Sequence, residues 1–300
     1  MLSRVRVLKV LIAGGNGQLG SEFKQILNCE GFDFICLDRF SLDVTDFNQV
    51  TRVFCHYSPD IVINAAAYTA VDQAENNQAQ ANLVNGVGPE NLAKASHTFG
   101  SSLIHISTDY VFSGDGKIPY VETDSTDPKG VYGKTKLAGE NAVRIHLNQH
   151  IILRTAWVFG EFGNNFVKTM LRLASERETL DIVGDQWGSP TSAKGIALCC
   201  LRICEKIRDN KNSISWGTYH YSGFPYINWH GFADVIFSEA LGIGIIKTVP
   251  KLNVIDSGAF PAVAKRPVNS RLDCKKLCNQ FEIQPDDWIE QLRLVLKRLK

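Results

Sequence analysis

An apolar run that ends in a glycine-rich turn, VLKVLIAGGNGQLG at residues 7–20, sets the strongest limit on what this chain can fold into. The turn fits two spacings at once, Gly15-x-Gly17-x-x-Gly20 and Gly14-x-x-Gly17-x-x-Gly20. Glycines there allow a tight turn, let the backbone approach a ligand, and let the following helix pack closely on the strand. The helix N-terminus then offers free N–H groups to a pyrophosphate. Glycine-rich turns are common, and this one gains weight from its neighbours. A second apolar run, DFICLD (33–38), ends in Asp38, 18 residues beyond Gly20, where an acidic residue can meet a ribose 2′-hydroxyl. The adjacent Arg39 can instead hold a 2′-phosphate, so Asp38-Arg39 leaves NADPH and NADH both open. Asp43 is a candidate for the adenine end or for a helix N-cap.

Further apolar runs follow at 60–67, 102–108 and 151–160, with helix-like segments near 18–28, 46–56, 76–99 and 134–147. Short apolar strands alternating with helices predict a Rossmann-type, doubly wound parallel sheet covered on both faces. Beyond residue 160 the alternation blurs into an amphipathic helix over 163–178, a turn-rich stretch over 182–193, and helices near 194–208, 228–241 and 286–299. The expected organisation is a NAD(P)-binding domain over 1–160, joined by a helix near 192–208. A smaller α/β substrate-binding lobe, not contiguous in sequence, takes most of 161–300.

The net charge of +1, with no basic or acidic block, argues against nucleic acid or a membrane surface as partner. No apolar stretch approaches the ~20 residues a bilayer requires. The opening MLSRVRVLKVLIAGG reads as a first strand rather than a signal peptide, because Lys9 interrupts the run. Eight cysteines form no C-x-x-C pair, which points to buried free thiols in a reducing cytoplasm rather than a metal site.

Tyr132 and Lys136 stand four apart and would share one face of a helix. A phenol has a pKa near ~10, and a neighbouring ammonium group, with the positive nicotinamide of an oxidised cofactor, is expected to lower it. The pair lies one loop beyond the fourth apolar run, whose end carries Ser107 and Thr108. Thr108 can hydrogen-bond the substrate oxygen that Tyr132 protonates, which makes a proton-plus-hydride site. Asp109 is expected to orient the loop, with a secondary proton role open. The C-terminal amphipathic helix is expected to dock on the core.

Several stretches carry a more specific signal: GGNGQLG, NAAAYTAVDQAE, STDYVF, VYGKTKLAGE, RTAWVFG, GNNFVKTMLRLA, DQWGSPT and RPVNSRLD. On these the chain resembles the dTDP-4-dehydrorhamnose reductase family, within the extended short-chain dehydrogenase/reductases. The resemblance implies reduction by NADPH, with NADH as the alternative, of the C4 keto group of dTDP-4-dehydro-L-rhamnose. It puts the catalytic trio on Thr108, Tyr132 and Lys136. Cofactor contacts fall on Gly14, Gly17, Gln18, Leu19, Gly20, Asp43, Ala65 and Ala66, with Tyr132 and Lys136 shared. Sugar-nucleotide contacts fall on Val71, Tyr110 and Trp157.

Some members of this family hold a divalent cation at a homodimer interface. Glu22 matches one ligand, but Lys194 stands where a carboxylate is expected, which argues against Mg2+ and the dimer built round it. Two rival functions share the scaffold. Dehydratases resemble Thr-Asp-Glu at this strand end, whereas Tyr110 follows Thr108-Asp109 here, and an epimerase would recycle its cofactor. A non-catalytic regulatory subunit resembling the methionine adenosyltransferase β subunit would keep the turn and the Tyr-Lys pair without turnover. Asn85 is read either as support for a proton relay or as a helix hydrogen bond, and Arg271 either as a phosphate contact or as a solvated charge.

Overall fold

In the computed structural model, which describes residues 7–26 and 32–300, six strands form one parallel sheet. They are β1 (Leu8–Ala13), β2 (Phe32–Leu37), β3 (Ile61–Asn64), β4 (Ser102–Thr108), β5 (His150–Thr155) and β6 (Gly217–His220). Their spatial order is β6-β5-β4-β3-β1-β2. Residues 1–6, Cys29 and the end of the helix-like segment 18–28 lie outside the described residues.

Alternate side chains of each strand feed opposite faces, and helices cover both. Val10 and Ile12 pack with Phe23 of α1 (Gln18–Ile26) on one side. Leu11 and Ala13 pack on the other with Val50 and Phe54 of α2 (Phe47–Tyr57) and Leu92 of α3 (Gly88–Phe99). Two-sided burial explains why β3 and β5 are buried at every position, with apolar centres at 61–63 and 151–153. The chain reverses direction across the sheet between β1 and β3, which is where an open parallel sheet forms its ligand crevice.

The remaining long helices are α4 (Val131–His146), α5 (Phe166–Glu176), α6 (Ala193–Asn210), α7 (Trp229–Gly242) and α8 (Trp288–Leu299). Helix α6 returns to the first face of the sheet through Ile196, Leu201 and Ile203. Phe159, Val167, Phe232, Ile236, Trp288 and Leu292 form a separate core beyond it. The C-terminal helix α8 docks there through Trp288, Leu292 and Leu296.

Three elements differ from the sequence expectation. The run 151–160 breaks after Thr155, because Trp157 turns into the left-handed region at φ 47°, and Val158–Phe159 pairs with Thr191–Ser192 instead. The helix-like segment 76–99 is three pieces: Gln78–Asn82, a π-helical turn over Leu83–Val87, and α3 with Pro89 in its first turn. Finally, residues 217–220, read from sequence as part of the smaller lobe, form the sixth strand of the sheet.

Candidate active site

The glycine turn closes the end of β1 as the spacing demands. Gly14 adopts φ +89°, and a Cβ there would meet the Ala66 nitrogen at 2.7 Å. A Cβ on Gly20 would lie 2.2 Å from the Gly14 carbonyl oxygen, so α1 can approach the turn this closely only through glycine. Above the turn opens a cavity of about 290 Å³. Gly14, Gly17, Arg39, Asp43, Ala65 and Ala66 line it, together with Leu42, Val44, Tyr68 and Val84. Backbone N–H groups, a glycine cradle that side chains would fill, and apolar walls fit a dinucleotide.

Six residues expected to bind cofactor do not line the cavity: Tyr132 and Lys136 lie further along the sheet edge, and four others are engaged nearer the turn. Leu19 buries its side chain in the core, and Gln18 accepts the Asn165 amide at 2.8 Å. Gly20 serves the helix contact. Asp38 accepts the Ser41 N–H at 3.0 Å and the Asn16 amide at 2.9 Å, and these bonds hold its carboxyl below the usual range. Arg39, by contrast, faces the cavity. Asp43 accepts the N–H and hydroxyl of Thr45 at 3.0 and 2.7 Å. Partial burial would raise its carboxyl, but those bonds and Arg39 pull it below the usual range.

Further along the same edge, β4 ends at Thr108, and α4 begins one residue before Tyr132. Thr108 donates to Asp109 Oδ1 at 2.9 Å, and its hydroxyl lies beside the Tyr132 phenol. The ring of Tyr110 meets that of Tyr132 edge-on, with centroids 5.4 Å apart. Lys136, one helical turn on and buried, donates to the Ile106 carbonyl at 2.6 Å. The structure thus brings Thr108, Tyr110, Tyr132 and Lys136 to one place.

Without cofactor the phenol is raised rather than lowered. Burial pushes Tyr132 up to about 12, with the Thr108 hydroxyl opposing it, and it pushes Tyr110 up as well. The ammonium of Lys136 is brought down to about 8 by desolvation, with Glu140 opposing. In the protein alone, burial sets the direction of both shifts.

Val71 opens the short helix Val71–Asn76 and is half-buried. Trp157 stacks on Trp229 at 3.5 Å and donates from Nε1 to Ser270 at 3.1 Å. Asn85 bonds both backbone groups of Tyr68, at 2.8 and 3.0 Å, and donates to Thr135 at 3.2 Å, so it braces the loop from β3 against α4. Arg271 donates to Asn269 and to the Lys117 carbonyl, each at 2.7 Å, which ties down its own loop. Sequence reasoning missed Trp229 and Ser270. Ser270 lies within RPVNSRLD, but a serine in such a stretch carries no signal of which residue it faces.

The cation that the resemblance implies does not fit the residues present. Glu22 is 2% exposed, and its Oε2 has no hydrogen-bond partner. Burial and then Glu161 raise its carboxyl, while Arg298 and Lys194 oppose them. Arg298 pairs with Glu161 at 3.1 Å. Two cations beside two carboxylates offer a metal neither the charge nor the donors it needs. Among the described residues no group of three or more His, Cys, Asp or Glu could hold a metal ion.

Comparison with known proteins agrees with this geometry. The family model of the RmlD substrate binding domain matches residues 8–300. The dTDP-4-dehydrorhamnose reductase of Aggregatibacter actinomycetemcomitans is 43% identical, covering 95% of this chain and 97% of its own. That of Escherichia coli K12 is 41% identical, covering 97% and 98%. The crystal structure of dTDP-4-dehydrorhamnose reductase from Bacillus anthracis in complex with NADP superposes with a TM-score of 0.88 at 38% identity, covering 97% and 99%. A UDP-glucose 4-epimerase from Thermus thermophilus, at 20% identity and a TM-score of 0.76, shares the fold.

Proposed function

Taking as premise that this chain belongs to the RmlD substrate-binding family of dTDP-4-dehydrorhamnose reductases, we propose how its own residues perform that reduction. The chain is an NAD(P)H-dependent oxidoreductase that converts dTDP-4-dehydro-L-rhamnose to dTDP-L-rhamnose. When bound, NADPH supplies the hydride that reduces the C4 carbonyl. The residues that would hold it are the turn at Gly14 and Gly17, Arg39 at the ribose phosphate, Asp43, and Ala65–Ala66.

Tyr132 gives its phenolic proton to the oxygen at C4. A phenol raised to about 12 stays protonated at neutral pH, which is the form an acid must start from in the direction of reduction. Lys136, held by the Ile106 carbonyl, keeps a positive charge one turn away and favours the phenolate left behind. Thr108 orients the same oxygen. Val71, Tyr110 and Trp157 face the sugar nucleotide.

The observation that carries reduction over elimination is the edge-on contact of Tyr110 with Tyr132, where a dehydratase would need its glutamate. Residues 1–160 with α6 and β6 bind the cofactor in this reading, and most of 161–300 shapes the sugar site. A cytoplasmic setting belongs to the same reading, and the buried free thiols of Cys199, Cys200, Cys204 and Cys274 support it.

The test follows NADPH and NADH oxidation with enzymatically made dTDP-4-dehydro-L-rhamnose. One NADPH consumed per keto-sugar, with or without chelator, is the expected result. Turnover of the sugar without net NADPH consumption would mean an epimerase or dehydratase. Tight cofactor binding with no turnover, and a stoichiometric protein partner, would mean a regulatory subunit.

A further inference from the structure

Thr108 has one hydroxyl hydrogen, and in this structure it is spent. That hydrogen goes to Asp109 Oδ1 at 2.9 Å, while the Thr108 oxygen accepts the Tyr110 N–H at 3.3 Å and lies beside the Tyr132 phenol. A hydroxyl so engaged has nothing to donate to a substrate oxygen. Asp109 itself is 2% exposed, and its Oδ2 has no hydrogen-bond partner. Ser270 lies beside the carboxyl, but its hydroxyl can donate to the Trp187 carbonyl at 3.3 Å while accepting from Trp157. A buried carboxylate with an orphaned oxygen is costly, and the neutral carboxylic acid costs far less.

We propose that Asp109 works as a neutral carboxylic acid that donates to Thr108 and so turns the Thr108 hydroxyl hydrogen toward the substrate oxygen. Asp109 is a positioning residue acting through Thr108, and its role rests on the reading that Thr108 and Tyr132 act on the C4 oxygen. With Asp109 ionised, its Oδ1 captures the Thr108 hydrogen. With Asp109 protonated on Oδ1, the order becomes Asp109 O–H to Thr108, then Thr108 O–H to substrate, and the unpartnered Oδ2 is a neutral carbonyl oxygen rather than part of a buried charge.

The surroundings support a protonated form near neutrality. Desolvation pushes the Asp109 carboxyl up to about 7, against the pull of the Thr108 and Ser270 hydroxyls. The titratable groups facing it are Tyr110 beside it and Tyr132 on α4, both kept neutral by burial. Lys136, on the same helix, is committed to the Ile106 carbonyl. Arg266 and Asp72, paired at 3.1 Å, act on Tyr110.

The experiment compares kcat/KM for the keto-sugar between pH 5.5 and 9, at saturating NADPH, in wild type, D109N and T108V. Wild type should lose about tenfold per pH unit once pH exceeds the Asp109 pKa. D109N, which cannot ionise, should lack that limb while retaining measurable turnover, and like T108V should fall only above about pH 8, where Lys136 loses its charge. T108V should be slower throughout and should also lack the limb, because Asp109 acts through the missing hydroxyl. T108V alone decides the matter if D109N does not fold. A wild-type profile flat through pH 7 and 8, or the same limb persisting in either variant, overturns the proposal while leaving the reductase reading intact. No reduction by wild type at any pH would remove both.

Discussion

Glu75 accepts the backbone N–H of Val131 at 2.8 Å, and so a carboxylate 56 residues upstream holds the first turn of the helix that carries Tyr132 and Lys136. That helix begins at Gly130, which has no side chain to cap it. A carboxylate at a helix N-terminus satisfies an orphan donor and complements the dipole. Here it also fixes where the catalytic phenol stands.

Glu75→Ala should therefore destabilise the protein by about 1 kcal/mol. It should also lower kcat about three- to tenfold through misplacement of Tyr132. Glu75→Gln keeps an acceptor oxygen and should recover most of both losses. Thermal melts and steady-state kinetics on the two variants separate capping from simple charge loss; equal damage in both would sink the assignment.

Tyr132→Phe removes the proton donor and leaves the ring. Turnover should fall at least about a hundredfold, while the dissociation constant for NADPH, read by fluorescence, changes little. Near-normal turnover in this variant would end the assignment of Tyr132 as acid.

What was legible in the sequence is what local pattern encodes. The glycine turn, the apolar runs of β1, β3 and β4, and the i, i+4 pair of Tyr132 and Lys136 each depend on residues near one another in the chain. The break at Trp157 was not legible, because its left-handed backbone serves a stack with Trp229, 72 residues away. Strand β6, with the sequence GTYH, has no apolar run and exists because β5 offers it an edge. The direction of the Tyr132 shift also escaped. A neighbouring lysine is visible in sequence, whereas the burial that raises the phenol is a tertiary property.

Glu140, fully buried on α4, accepts two hydrogen bonds from Arg154 at 2.9 and 2.8 Å, one from Arg144 at 2.7 Å and one from Ser107 at 2.6 Å. Burial alone would raise its carboxyl, but Arg154, Arg144 and Ser107 together hold it below the ordinary 4.5. A depressed folded-state pKa contributes stability that is present above the unfolded value and is lost as pH falls through the folded one. The wild-type melting temperature should thus drop below pH 4.5, and Glu140→Gln should flatten that part of the curve. Arg154→Met leaves the carboxylate short of its main partner and should cost about 3–5 kcal/mol at pH 7. Denaturant melts of the two variants across pH provide the check.

Arg39 lines the cavity while the Asp38 carboxylate is turned to Ser41 and Asn16. A guanidinium there can meet a 2′-phosphate, and a carboxylate so engaged repels it less than a free one would. Arg39→Ser should raise KM for NADPH by about tenfold, the scale of one charged hydrogen bond, and alter KM for NADH far less. Equal effects on the two cofactors would show that Arg39 does not read the phosphate.

Lys194 and Arg298 beside Glu22 and Glu161 argue for a site neutralised by side chains rather than by a cation. Millimolar Mg2+ should leave the wild-type melting temperature within about 1 °C, and chelator should leave turnover and the sedimentation profile unchanged. The substitution Lys194→Glu removes the ammonium and adds a third carboxylate next to Glu22. Three carboxylates without that compensation repel one another, so this variant should melt lower than wild type in chelator and recover on adding Mg2+, since hard oxygen donors suit that ion. A Mg2+-dependent rise in the melting temperature of wild type itself would mean that Glu22 binds the cation despite its neighbours.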